Sequence, residues 1–371
     1  MRLVTVPSLT TLEETMDDNY TILLILKDRS HYTLRLMRWM DILGYPFKIL
    51  VADGGEDKVI QEILENSANF PNLKYDYLRY PHDDTLDQFH EKMADSIDKI
   101  ETPLASVVDN DDFFFLQGVV ETIQFLKDNE GYSSSRGAVH PAYLSEDMGG
   151  ELYLEENMYS KYKDSIIGSS AAERMIDQTK HFHGNWHNTT RSNHLKACWK
   201  MINVIKPKNM RFTEQITGYL NTLWGNGHRG EYPWIIHQNG QRIQMPDGDL
   251  ASHFPEQTEW INSEYWVEEF AKMTELMGVA IAAYDSIPVE DAMKLFADTY
   301  PTKVQGLEKE LKEKVEKSRE IGYNAERIKK MFDIVAEYDI KKVEPVPGVK
   351  FSYPNVEQEE QVLRSFLASI V

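Results

Sequence analysis

The densest chemistry in the chain lies at Asp109-Asn110-Asp111-Asp112. Three carboxylates and an amide follow directly on the apolar run Leu104-Ala105-Ser106-Val107-Val108. That places hard oxygen donors at a strand end, where Mg²⁺ or Mn²⁺ can be held and can bridge to diphosphate oxygens. The same residues also read as an acidic turn, with Asp111 or Asp112 capping the helix that follows. A calcium loop of the EF-hand kind is disfavoured, because its glycine and downstream glutamate are missing. A second constellation is His181-Phe182-His183-Gly184-Asn185-Trp186-His187-Asn188, with Arg191 and His194 beyond it. No cysteine or acidic partner stands at a zinc-ligand spacing. A glycine-containing loop with imidazoles and an indole reads better as a lid over a phosphate or an acceptor, with plain structural use as the alternative.

The elements that would carry these residues are legible from periodicity. Thr21 to Leu26 is a continuous apolar run, the mark of a strand covered on both faces, and it ends at Lys27-Asp28-Arg29-Ser30. Tyr32, Leu36, Trp39 or Met40, and Leu43 then recur at helical spacing up to Gly44. Phe47 to Ala52 is a second strand, leading into Asp53-Gly54-Gly55 and a short helix with Val59, Ile60, Ile63 and Leu64. Tyr75 to Leu78 is a third strand. The following helix carries Leu86, Phe89, Met93, Ile97 and Ile100 on one face, and Leu104 to Val108 is the fourth strand. Such alternation predicts a parallel, doubly wound α/β sheet. Ligands bind outside the carboxyl ends of such strands, so Asp28, Asp53 and Asp109 to Asp112 are expected to converge on one crevice.

Beyond a helix at Leu116 to Leu126, short strands are expected at Gly137 to Tyr143 and Tyr232 to His237, the latter running through Asn239-Gly240 into Arg242 to Met245 as a hairpin. From about Glu256 the chain turns to helix formers, and Pro345 to Pro354 reads as an extended linker before a last short helix.

Forty basic against sixty acidic residues give a net charge of -20, which excludes a protein that grips nucleic acid through its phosphates. A negative protein that binds a nucleotide-linked substrate wants a divalent cation as go-between. The single cysteine, Cys198, fits a reducing, cytoplasmic setting and reads as a small buried apolar residue. No apolar run approaches the ~20 residues that cross a bilayer, which leaves peripheral membrane contact at most.

The layout resembles the nucleotide-binding half of GT-A glycosyltransferases, above all the large family 2 group. Three ordered features carry the resemblance: the polar turn Lys27-Asp28-Arg29, the strand-ending Val51-Ala52-Asp53-Gly54-Gly55, and the Asp-any-Asp signature Asp109-Asn110-Asp111. They span roughly residues 20 to 240. The proline or tyrosine usual before the first turn is replaced by Ile25-Leu26-Lys27, and the usual basic residue before the fourth strand has only Gln88 and Lys92 as candidates.

The resemblance implies a Rossmann-like, mostly parallel sheet flanked by helices. Residues 1–255 would form the GT-A domain, 20–115 being its nucleotide-binding half and 116–255 its acceptor half, with residues 256–371 as a helical extension. It further implies a nucleotide-sugar donor and a hydroxyl acceptor such as a glycan, with Mg²⁺ or Mn²⁺ as cofactor. Asp53 would bind the base or ribose, and Asp28 and Arg29 would lie beside the nucleotide together with Asn110. Asp109 would contact the ribose or a metal-bound water, Asp111 would ligate the metal, and Asp112 would cap the next helix. Glu214, near the start of a helix in Phe212-Thr213-Glu214-Gln215-Ile216, would deprotonate the acceptor. In the lid, Trp186 would stack on a sugar and His183 would be the preferred contact.

Two other readings stand beside this one. A nucleotidyltransferase uses a similar sheet, but the glycine-rich phosphate loop it needs is missing between Asn19 and Ile42. A noncatalytic scaffold would keep the sheet and work through its helical tail. That tail is expected to pack on the domain, with pairing of two copies as the alternative.

Overall fold

The computed structural model describes residues 17–156, 164–180, 186–238, 260–303 and 306–370. His183 and the hairpin expected at Asn239-Gly240 lie outside these residues. Four βα steps open the chain: β1 (Asp17–Leu26), α1 (Ser30–Leu43), β2 (Phe47–Asp53), α2 (Lys58–Glu65), β3 (Tyr75–Arg79), α3 (Leu86–Asp98), β4 (Leu104–Val108), the two-residue β5 (Phe113–Phe114) and α4 (Leu116–Asp128). Then follow β6 (Tyr132–Leu144), β7 (Leu152–Leu154), α5 (Ala171–Lys180), β8 (Thr189–Arg191), α6 (Ser192–Ile205), α7 (Met210–Leu223) and β9 (Asn226–Gln238). The helical remainder is α8 (Trp266–Asp285), α9 (Val289–Thr299), α10 (Glu308–Ile321), α11 (Ala325–Glu337) and α12 (Val356–Ile370).

One nine-stranded sheet runs β3-β2-β1-β4-β8-β6-β9-β5, with β7 on β6. The pairs joining β3, β2, β1 and β4 are parallel, as the βα alternation requires. Beyond β4 the sheet is mixed: β8 runs against both β4 and β6, while β6 and β9 run together. β1 sits centrally, so Tyr20, Ile22 and Leu24 join the core on one face while Leu23 joins the core on the other. That two-sided burial is what its unbroken apolar sequence encodes. Local signals hold the helices in place. Gly44 takes a left-handed φ of 61° and donates to Asp41 and Met40 at the end of α1, and Thr85 and Gln88 form a capping box at the start of α3.

The C-terminal helices divide between the two faces. α8 to α11 enlarge the core that α3, α5, α6 and α7 build. α12 crosses to the other face, where Leu363, Phe366 and Leu367 pack among residues of α1 and α4. α8 anchors its neighbours through carboxylates. The buried Glu275 takes Arg327 in a two-toothed ion pair at 2.6 and 2.8 Å, and Asp285 accepts from the amide nitrogens of Ala171 and Ala172 at the start of α5. Glu269 accepts from the Lys208 nitrogen at 2.7 Å. Among the described residues no helix is long and apolar enough to cross a membrane.

Candidate active site

The carboxyl ends of β1, β2 and β4 meet, as expected from the sheet order. Asp28 and Arg29, just past β1, both have left-handed backbone, with φ of 54° and 52°. For side chains with a Cβ this costs of order 1–2 kcal/mol apiece, and contacts on either side hold the turn. Asp28 Oδ1 accepts from the Glu56 nitrogen beyond β2 at 3.0 Å. Arg29 Nη2 bonds Asp111 Oδ2 beyond β4 at 2.7 Å. Gly55 permits the close approach of the first two strand ends, since a Cβ there would stand 2.7 Å from the Asp28 nitrogen.

Asp53 is buried and its carboxylate is fully engaged. Oδ1 accepts from the Gly55 nitrogen, and Oδ2 from Tyr77 and Arg79, so it braces the Gly54-Gly55 turn from below. Beneath the same turn, buried Lys92 on α3 pairs with buried Asp83 and donates to the Leu26 carbonyl. Gln88 is occupied by its capping box. Asn110 donates to Thr33 Oγ1 at 3.0 Å, tying the cluster to α1.

The tightest donor set in this crevice is Asp109, Asp112 and His187, one ligand atom from each lying within 4.8 Å of the others. Asp112 does not cap α4. β5 intervenes, the cap position is Phe115, and the carboxylate that receives the α4 amide nitrogens of Leu116 and Gln117 belongs to Glu359 of α12, at 2.6 and 2.8 Å. Asp112 instead turns inward, fully buried. Its Oδ1 accepts from His237 Nδ1 at 2.9 Å and from the Gln238 nitrogen at 3.3 Å. Its Oδ2 has no hydrogen bond, although His187 Nε2 stands 3.3 Å away.

His187 Nδ1 donates to the Val107 carbonyl at 2.9 Å, which fixes the ring and aims Nε2 at the two carboxylates. A histidine held through Nδ1 with Nε2 facing carboxylate oxygens has the outer-shell arrangement of a metal ligand. An orphaned carboxylate oxygen, a second carboxylate and an imidazole fit a divalent cation.

Electrostatics agree with that fit. Burial works against a charged His187, but Asp112 and Asp109 outweigh it and pull the ring up to about 9. Burial, with Asp111 and Asp112 adding to it, pushes Asp109 up to about 6 against the pull of His187. Burial would raise Asp112 too, yet His187 and His237 hold it well below the usual carboxylate range. Hydrogen bonding to Asp112 in turn raises His237 against the effect of burial. The His187 proton thus supplies positive charge to a pocket built for more of it.

Two expected residues lie apart from this cluster. Glu214 is in the first turns of α7. Because β8 descends antiparallel to β4 and α6 climbs back, α7 starts at the same sheet edge as the crevice. Its carboxylate pairs with Arg211 at 3.3 Å and makes no bond to the acidic cluster. Burial raises its pKa, with Arg211 and Lys303 opposing. Trp186 packs edge-on to Trp199 and against Leu86, Phe89 and Met210, in a small apolar cluster where α3 and α7 begin. His237 and buried Arg35, which bonds Gln238 and the Asp111 carbonyl, belong to the site without any sequence signal that singles them out.

No family model matches the chain, and no curated protein matches it. Solved structures of S. aureus TarS are similar in overall arrangement. Residues 1–349 of that protein in complex with UDP-GlcNAc align at 12% identity and a TM-score of 0.49, over 89% of this chain and 82% of that one. The complex with UDP aligns at 13% identity and a TM-score of 0.46, over 91% and 96%.

Proposed function

We propose that this chain is a metal-dependent glycosyltransferase of the GT-A type, moving a hexose-type sugar with inversion from a nucleoside-diphosphate sugar to a hydroxyl of an acceptor such as a glycan. The observation that carries the reading is the orphaned Asp112 Oδ2 facing His187 Nε2 and Asp109 where three strand ends converge. Asp109, Asp112 and His187 would hold Mg²⁺ or Mn²⁺, with Asp111, paired to Arg29, as the further candidate ligand. A cation there supplies positive charge against the diphosphate as it departs.

The chain's own residues do the rest. Asp28, Arg29 and Asn110 line the donor side of the crevice, with Asp53 holding the Gly54-Gly55 turn in shape beneath it. Arg29 is positioned to exchange its carboxylate partner for a phosphate oxygen. Glu214, its pKa raised above the ordinary glutamate value by burial, takes the acceptor proton as the hydroxyl attacks. Trp186 forms part of the apolar floor between α3 and α7.

Calorimetric titration with UDP, GDP, ADP and CDP, with and without Mn²⁺, tests the reading. Binding of at least one that depends on Mn²⁺ is expected, and none with any of the four overturns it. Hydrolysis of the matching nucleotide sugars then names the donor.

A further inference from the structure

The face of the sheet that carries the acidic cluster can be followed outward by register. Phe114 of β5 meets the His187 ring edge-on at 5.9 Å and pairs with Ile235 of β9. Side chains two residues apart share a face, so His237, which bonds Asp112, stands on that same side. Pro141 of β6 is the register partner of His237. Tyr143 lies two residues further along β6, and Tyr153 of β7 is its partner. Strand spacings put the Tyr143 backbone about 8 Å and the Tyr153 backbone about 12 Å from that of His237. The alternate residues Ala142, Leu144, Leu152 and Leu154 belong to the core on the opposite face.

Tyr143 is 38% and Tyr153 54% exposed, and among the described residues they are the only exposed large apolar side chains on the sheet. Both are carried on a braced hairpin. The β6–β7 ladder continues past the pair on either side, the Ser145 nitrogen donating to the Glu151 carbonyl at 3.0 Å and the Glu155 nitrogen to that of Pro141 at 2.9 Å. α12 supports the hairpin from behind: Arg364 donates to the Leu152 carbonyl, and the Gly150 nitrogen to that of Leu367. The Tyr153 hydroxyl is held by the Glu151 carboxylate. Aromatic rings fixed in this way offer contact area at a small entropic cost.

The surroundings are acidic. Glu146, Asp147, Glu151, Glu155 and Glu156 are all exposed, and no lysine or arginine stands between Arg136 and Lys161. Glu151 and Glu155 flank Tyr153 at two residues on either side and so share its face. A phosphate- or carboxylate-bearing polymer would meet like charge here. An uncharged sugar meets the negative π faces with its C–H groups and the carboxylates with its hydroxyls.

We propose that Tyr143 and Tyr153 form the acceptor platform of the transferase, stacking the rings of an uncharged oligosaccharide whose end reaches the cluster at His237. Glu151 and Glu155 accept from its hydroxyls. The platform's part in transfer rests on the glycosyltransferase reading, and it narrows the acceptor to a neutral chain of several sugar units.

Titration calorimetry of the full chain with cellopentaose, chitopentaose and maltopentaose tests this, with pentagalacturonate as the acidic counterpart. At least one neutral pentasaccharide is expected to bind saturably, about tenfold or more tighter than pentagalacturonate, a difference of about 1.4 kcal/mol. Replacing both tyrosines together, Tyr143→Ala with Tyr153→Ala, should weaken that binding by at least about tenfold. Tyr143→Phe, which keeps the ring, should retain it. Mn²⁺-dependent nucleotide binding should be unchanged in both variants, which also shows that they fold. Three results overturn the proposal: no binding of any neutral pentasaccharide, pentagalacturonate binding as tightly as the best of them, or saccharide binding that survives loss of both rings. Nucleotide binding separates the two readings. Present without saccharide binding, it removes the platform alone; absent beside ring-dependent saccharide binding, it leaves the platform and removes the transferase.

Discussion

His187 Nε2 and Asp112 Oδ2 stand 3.3 Å apart with no hydrogen bond between them, the imidazole anchored behind by the Val107 carbonyl and the carboxylate by His237. Proton and cation are alternatives in that gap. His187 has its ordinary pKa of 6.5 unfolded and about 9 folded, so its protonated form contributes stability fully present below pH 6.5 and lost as pH rises through about 9. Metal binding must expel that proton. Mn²⁺ affinity of the isolated protein should therefore rise with pH across the same interval, with proton release visible as a buffer-dependent heat. Affinity that falls with pH would remove His187 from the ligand set.

Substituting His187 by Ala should weaken Mn²⁺-dependent nucleotide binding by one to two orders of magnitude, roughly 10–100-fold, the usual cost of losing a member or orienter of a metal site. Equilibrium dialysis at neutral pH measures it. Unaltered metal dependence would place the cation elsewhere in the crevice.

Asp111→Ala separates the metal-ligand role from the ion pair. Arg29 and Asp111 are partly solvent-exposed, so their pair is worth no more than about 1 kcal/mol and the variant should keep its urea midpoint nearly unchanged. Transfer should nonetheless be lost. Turnover at the parent rate would leave Asp111 a surface partner of Arg29 and nothing more.

Glu214→Gln preserves shape and removes the base. Donor binding should persist with turnover down about 10²–10⁴-fold, the range of general-base contributions. Loss of nucleotide binding instead would mean that Glu214 shapes the donor side.

Glu275→Ala should cost about 1–3 kcal/mol, because it removes the buried acceptor of the half-buried Arg327 and of the Asn324 amide nitrogen. Chemical denaturation reads the loss. A drop under about 1 kcal/mol would show that α11 is held by apolar packing alone.

The parallel half of the sheet was readable because β1, β2 and β4 are buried on both faces and therefore carry unbroken apolar runs. β6 was harder. After Tyr132 come Ser133, Ser134 and Ser135, which look like a loop, yet Ser133 and Ser134 reach the Asn221 carbonyl, which lets them be buried. The convergence of Asp28, Asp53 and the acidic cluster followed from strand order. The partners of Asp112 did not. His187 sits in a histidine-rich loop and His237 at the end of β9, and only the folding of β8 and β9 brings both to one carboxylate. Asp112 looked like a helix cap because a two-residue strand is invisible to periodicity.

Glu359 gives the fold a temporal order. The acidic cluster, β5 and α4 leave the ribosome early, but the carboxylate that receives the first amide groups of α4 is made some 240 residues later in the chain. Until α12 docks, the helix that backs the metal-site candidates begins in open amides, so this crevice reaches its final rigidity only after α12 has been made.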